Sequence, residues 1–172
     1  MVTPADPKTL TQKQRFHEYL LATGGPAPLL GEAVGAALGQ WENTPKEWGQ
    51  GWGAFGQRFG SNLAYNAVRQ TISYGTSVVF NEDGRYFAST QTGTWQRTRH
   101  ALVSTFTARH PDGRQTFSVS NTSGVIGAAA ISSIWGPPSW KGVDNIAANA
   151  GISFASTAVF NVVREFFPRP RH

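Results

Sequence analysis

Between Thr44 and Phe80 the sequence places small residues at steps of three or four: Gly49, Gly53, Gly56, Gly60, Ala64, Ala67, Thr71 and Gly75. On one α-helix that spacing draws a single stripe with almost no side chain. Such a surface admits another backbone at close range, which points to a tightly packed helical bundle. Thr44 as N-cap, Pro45 at the first helical position and Glu47 closing a capping box predict a helix running from Thr44 to about Phe80. Phe59, Leu63, Val68 and Ile72 form its burying set, and Arg58, Asn62, Asn66 and Arg69 its polar set. Each glycine near its start costs about 1 kcal/mol of helix propensity against alanine, so packing has to supply what propensity does not.

The flanking chain repeats the theme. Thr11 and Gln14 predict a capped helix to about Ala22, with Phe16, Tyr19 and Leu20 on its apolar face, stopped by the Gly24–Pro28 segment. Leu29 to Gln40 carries Gly31, Gly35 and Gly39 on one helical face, and it joins the central helix as an αα-hairpin. A fourth helix is expected from Thr94 to Arg109, and a turn at His110–Arg114. Thr116–Ser120 reads as a short strand or a lead-in to the next element. Gly124 to Trp135 predicts a helix of about three turns, too short to cross a bilayer. After Gly136–Pro138 a last helix, Trp140 to Phe166, again carries a small stripe at Ala147, Gly151, Ala155 and Ala158. The expected fold is all-α: five or six helices packed through Gly/Ala stripes, with at most one short extended segment. The expected boundaries are a disordered arm at 1–10, one helical domain at 11–168 and a basic tail at 169–172. An edge-rich β-barrel is the competing architecture, with Tyr74–Phe80 and Thr116–Ser120 as strands.

Composition narrows the function classes. The 172 residues include no cysteine, which excludes disulfides, cysteine zinc sites and thiol chemistry. Only 15% are charged, well below the usual quarter, although the net charge is +5. Few charges with many Gly, Ala, Ser and Trp suit a chain that packs against lipid or against copies of itself. No unbroken apolar run reaches the eighteen or so residues of a transmembrane helix. Asp144, Asn145, Asn149 and Asn161 make the last helix polar for a lipid-facing span. Trp41, Trp48 and Trp52 fall at one inter-helix junction, and Trp135 and Trp140 at another. Arg85, Arg97, Arg99, Arg109, Arg114, Arg164, Arg169 and Arg171 fall at the others. If the second and third helices pair, and the fifth and sixth, the tryptophans gather at one end and the arginines at the other. A bilayer interface favours that segregation, so Trp41, Trp48, Trp52, Trp135 and Trp140 are candidate interface residues.

No motif reaches a catalytic, cofactor-binding or metal-ligating signature. Gly51–Gly56 spells Gly-x-Gly-x-x-Gly, but a dinucleotide fingerprint needs a preceding strand and an acid about twenty residues on. Gly151–Ala155 resembles a nucleophile elbow yet lies inside a helical pattern. His17, His100, His110 and His172 have no metal spacing. Glu82, Asp83, Arg85, Tyr86 and Phe87 form the densest polar–aromatic cluster. Asp83, Arg85 and Tyr86 are a candidate ligand or partner loop; the alternative is a loop tied down by an Asp–Arg ion pair. The basic residues from Arg97 to Arg114 are too sparse for a nucleic-acid stripe, and anionic headgroups are an equal match.

Several phrases together resemble a known family: Asn43–Gly51, Arg58–Asn62, Glu82–Phe87, Ile131-Ser132 with Trp135 and Pro137, and Asn161–Phe166 before Pro168. This is an uncharacterised family of small glycine-rich proteins from Acidobacteria-type bacteria, usually made with an export signal. The resemblance covers most of the chain after Thr11. It departs where the family often has proline at Gly84 and an acid at Arg169. It implies export to the periplasm or outer membrane and carries no catalytic residues. Met1–Lys8 has no apolar run behind it, which fits a mature exported form or, as the alternative, a cytoplasmic protein. The expected function is a non-enzymatic cell-envelope protein, membrane-associated and self-assembling, whose partners are its own copies, a larger envelope complex or membrane lipid. The alternative is a soluble periplasmic small-molecule-binding domain or enzyme with its site near Asp83, Arg85 and Tyr86.

Overall fold

The structure, a computed structural model, describes residues 10–167. Six α-helices form an all-α bundle: α1 (Gln12–Gly24), α2 (Pro26–Trp41), α3 (Trp52–Val79), α4 (Thr94–Val103), α5 (Val119–Ser132) and α6 (Val143–Phe166). Two short strands, β1 (Thr107–Arg109) and β2 (Gln115–Phe117), pair antiparallel with Ala108 opposite Thr116, and Asp83 bridges to Arg109. The β-barrel alternative falls, because Tyr74–Val79 lies inside α3. The arm and tail expected at 1–10 and 169–172 lie outside the described residues, Leu10 excepted.

Capping chemistry explains the boundaries that agree with the sequence. Thr11 and Gln14 form the reciprocal box that opens α1. Only Gly25 separates α1 from α2; its N–H bonds the Leu21 carbonyl at 3.0 Å, and Pro26 sits at the first position of α2. Other boundaries move: α2 starts at Pro26 and not at Leu29, and α5 ends at Ser132 and not at Trp135. The central helix starts at Trp52 and not at Thr44. Gly49 and Gly51, at φ 66° and 101°, turn the chain through conformations that a helix excludes. Lys46–Trp48 is a 3-10 turn, and the Glu47 carboxylate reaches across to accept from the Ser139 N–H at 3.3 Å. The fourth helix stops at Val103, since Thr107–Arg109 is drawn into the hairpin around Gly113. α5 begins at Val119 because Ser118 caps it, accepting from the Asn121 N–H at 3.1 Å. α6 begins at Val143, after a 3-10 turn at Pro138–Trp140 and a left-handed Gly142.

α3 is the central post, packed on α1, α2 and α5, while α6 packs on α4 and α5. The closest approach uses glycines of α5. A Cβ on Gly124 would lie 2.9 Å from the Arg69 carbonyl oxygen, and one on Gly127 would lie 2.6 Å from Ile72 Cδ1. On α2, Gly39 lies against the Thr44 carbonyl and Arg58, and Gly35 against Asn62. By contrast, Gly31, Gly49, Gly53, Gly56, Gly60, Gly75 and Gly151 have open space within 4 Å. Ala64 and Ala155 are exposed and Ala67 is half-buried. Small-residue packing therefore holds the bundle, but the α3 stripe lies on the outside of the single chain. Gly124→Ala should destabilise by about 1–3 kcal/mol through overpacking. Gly60→Ala should leave the fold of the single chain intact. Thermal melts of both proteins check this contrast, and equal effects would refute it.

Candidate functional site

The buried hydrophobic set is seven alanines and Val125; among the described residues no Leu, Ile, Phe or Trp is fully buried. The largest fully buried side chains are Glu82 and Glu165. This inverts the usual arrangement of a water-soluble domain. Charge follows the same rule. The exposed positions of α2 are uncharged, and its Glu32 is half-buried. In α3 the two charges, Arg58 and Arg69, are buried and half-buried, and every exposed position from Trp52 to Val79 is uncharged. α5 has no charge at all, and α6 has none between Asp144 and Arg164. That stretch of α6 is about 28 Å long at 1.5 Å per residue. Among the described residues α6 is the one helix long and apolar enough to cross a membrane.

The two ends differ. At one end the α2–α3 and α5–α6 connections meet. The Trp48 and Trp140 rings lie 5.4 Å apart, Trp135 Nε1 donates to Ser61 Oγ at 3.1 Å, and Trp41 and Trp52 are 83% and 88% exposed. At the other end stand the start of α1, α4, the hairpin and the end of α6, with Arg85, Arg97, Arg99, Arg109, Arg114 and Arg164. The exceptions to this sorting are Trp95, 74% exposed at the start of α4, and Arg58, which lies at the α2–α3 connection.

Each buried charge is held by a built cage. Arg58, 2% exposed, donates to the carbonyls of Thr44, Pro45 and Gly49 at 2.8, 3.1 and 3.0 Å and to Gln40 Oε1 at 2.6 Å. Glu82 accepts from the N–H groups of Val119 and Ser120, both at 2.9 Å, so a carboxylate sits on the positive end of α5. Glu165 accepts from Arg97 Nε at 2.9 Å, from the Ser89 N–H at 3.0 Å and from the Tyr86 hydroxyl. Burial, the hydrogen bond to Glu165 and that carboxylate's charge push the Tyr86 phenol above its usual range.

A cleft of about 650 Å³ opens at the arginine end between α1, α3, α5, α6 and the 82–86 loop. Its wall carries Arg15, Arg69, Arg85 and Arg164, three acids, and many Ser, Thr and Tyr hydroxyls. Asp83, Arg85 and Tyr86, expected as a ligand loop, form part of this wall. The ion pair offered as the alternative is also present: Asp83 Oδ2 binds Arg85 Nη2 at 2.7 Å. Its hydrogen bond from Arg85 raises the arginine's pKa. Arg69 lines the cleft; one terminal nitrogen donates to Asn121 Oδ1 at 2.9 Å and to Thr157 Oγ1 at 3.0 Å.

The buried cages were not read from the sequence, although a signal existed. Arg58 and Arg69 are the only charges between Trp48 and Asn81. A lone charge in such a stretch marks a buried, partnered group. Gly51–Gly56 enters α3 from a 3-10 turn, and Ser153 is a mid-helix serine 2.7 Å from the Tyr65 hydroxyl. Among the described residues no three His, Cys, Asp or Glu side chains gather as a metal site. The chain matches no family model, no curated protein and no solved structure, so function is argued from its own geometry.

Proposed function

We propose that the chain is a non-enzymatic cell-envelope protein that sits at a membrane with its bundle in the apolar layer and associates with its own copies. The observation that carries this is the inversion of the bundle: alanines, one valine, arginine and carboxylates are fully buried, while among the described residues no Leu, Ile, Phe or Trp is, and many of these are exposed. In water each large apolar side chain left exposed forgoes about 1.5–3 kcal/mol of burial. In lipid nothing is forgone, and helices then associate through small residues and buried polar groups, as α3 and α5 do here. Tryptophans at one end and arginines at the other fit the two interfacial layers. The envelope location is supported by the export that the resemblance implies. Self-association rests on the open α3 stripe at Gly53, Gly56 and Gly60, where a second backbone could approach closely.

Co-sedimentation with phosphatidylcholine and phosphatidylglycerol vesicles tests the placement. The protein should pellet with both lipids and stay bound at ~1 M salt, where the Debye length is about 3 Å. Release by salt would reduce the contact to the arginines alone. A protein that stays in the supernatant throughout would refute the placement and favour the second reading, a soluble domain binding a small molecule in the cleft beside Asp83, Arg85 and Tyr86.

A further inference from the structure

We infer that the cleft at the arginine end is a phosphate site, taking a small phosphomonoester or phosphodiester that also carries hydroxyls, such as a glycerol phosphate headgroup. Its charges decide the sign of the ligand. Glu82 is committed to the N–H groups of α5, and Asp83 to Arg85. Arg15 is held by the Ser77 and Glu82 carbonyls and by Asn81, all neutral groups. Arg69 is oriented by Asn121 and Thr157, also neutral, and its Nε and second terminal nitrogen have no partner among the described residues. Arg164 has none either. Arg15, Arg69 and Arg164 thus line one cleft with no carboxylate in ion-pair contact, and Glu18 is the single acid left uncommitted there.

Four arginines against three acids leave the wall net positive, so the cleft favours an anion, and planar guanidinium donors match phosphate oxygens. Ser73, Ser77, Ser104 and Thr107 on the same wall supply partners for ligand hydroxyls. A volume of about 650 Å³ suits a small molecule. Phe160 of α6, 58% exposed, also lines the cleft and joins it to the uncharged outer face. A headgroup in the cleft could therefore leave its acyl chains along α6. That lipid source rests on the membrane placement proposed above, whereas the phosphate chemistry stands on the cleft alone.

The test titrates glycerol phosphate into the full chain in neutral detergent by calorimetry, with glycerol as control. Phosphatidylglycerol vesicles are then used as competitors. Glycerol phosphate should bind and glycerol should not. Arg164→Gln, at an exposed position without a partner, should weaken binding about threefold or more with an unchanged circular dichroism spectrum. Arg69→Met should weaken it about tenfold or more. If Arg69→Met does not fold, Arg69→Lys keeps the charge without the fork and should still weaken binding severalfold. Competition by phosphatidylglycerol identifies a headgroup; binding without competition identifies a free phosphate solute, and the site stands in either case. Binding that survives alongside failed pelleting on neutral vesicles refutes the membrane placement and leaves the site. Equal affinity for glycerol and glycerol phosphate, or binding untouched by both arginine changes, overturns the site.

Discussion

Arg58→Met will loosen the α2–α3 junction and lower stability by about 3 kcal/mol or more. The guanidinium is the shared donor of a loop that has little else to close it. It binds the carbonyls of Thr44, Pro45 and Gly49 and the side chain of Gln40, and Gly39 leaves room for its stem. The loss removes a buried charged donor from three carbonyls and a side-chain amide at once, each such hydrogen bond being worth about 1.5–3 kcal/mol where water is excluded, although the Pro45 carbonyl keeps the Trp48 N–H. Methionine fills much of the volume, so the loss reports the hydrogen bonds more than a cavity. Arg58→Lys restores the charge but only part of the donor fork, and should recover only part of the stability. Denaturant unfolding followed by circular dichroism in detergent measures both. A wild-type midpoint for Arg58→Met would show that the cage does not hold the junction.

The second large effect is at Glu165. Glu165→Leu leaves Arg97 facing an apolar side chain, and it removes the acceptor of the Ser89 N–H and the Tyr86 hydroxyl. Breaking a buried ion pair from one side costs about 3–5 kcal/mol. Replacing both partners, Arg97→Met with Glu165→Leu, should recover much of that loss, since no unpaired charge is left behind. Additive losses in the double variant would refute the coupling. The same cluster sets an alkaline limit. Tyr86 keeps its proton above pH 10, where an unfolded tyrosine gives its proton up. The folded state then binds more protons than the unfolded state. Stability is therefore fully present below about pH 10 and falls as pH rises beyond it. In Glu165→Leu this fall should be smaller, because the carboxylate that raises the Tyr86 pKa is gone.

Much of the architecture was legible in local chemistry. The Thr11–Gln14 box stands where its residues predict, and the break near Gly25 is found too, although Pro26 to Pro28, read as part of it, open α2 instead. The start of α3 was not legible. Thr44, Pro45 and Glu47 have the form of a helix start, but Glu47 spends its carboxylate on Ser139, a partner 92 residues away, and Gly49 and Gly51 then turn the chain. The glycine stripe was legible as a stripe and not as a direction. Spacing places Gly53, Gly56 and Gly60 on one face, but only the packing of α5 decides that this face is the outer one. The cleft was half legible: Asp83, Arg85 and Tyr86 stood out as a cluster. Arg69, Asn121 and Thr157 come from three helices and share no local pattern.

The Arg58 cage also bears on the order in which the chain can be put together. All its acceptors lie within 9 to 18 residues of Arg58 in sequence. Arg58 is therefore satisfied within the α2–α3 hairpin itself. Arg69 and Glu165 draw on partners 52 to 88 and 68 to 79 residues away. The α2–α3 junction can close once Arg58 has been made, whereas Arg69 must wait for Asn121 and Thr157, and Arg97 and the 86–89 segment must wait for Glu165. The fold thus has a built-in order of assembly: a junction that closes early on neighbouring residues, and an arginine end that is completed only when the last helix arrives.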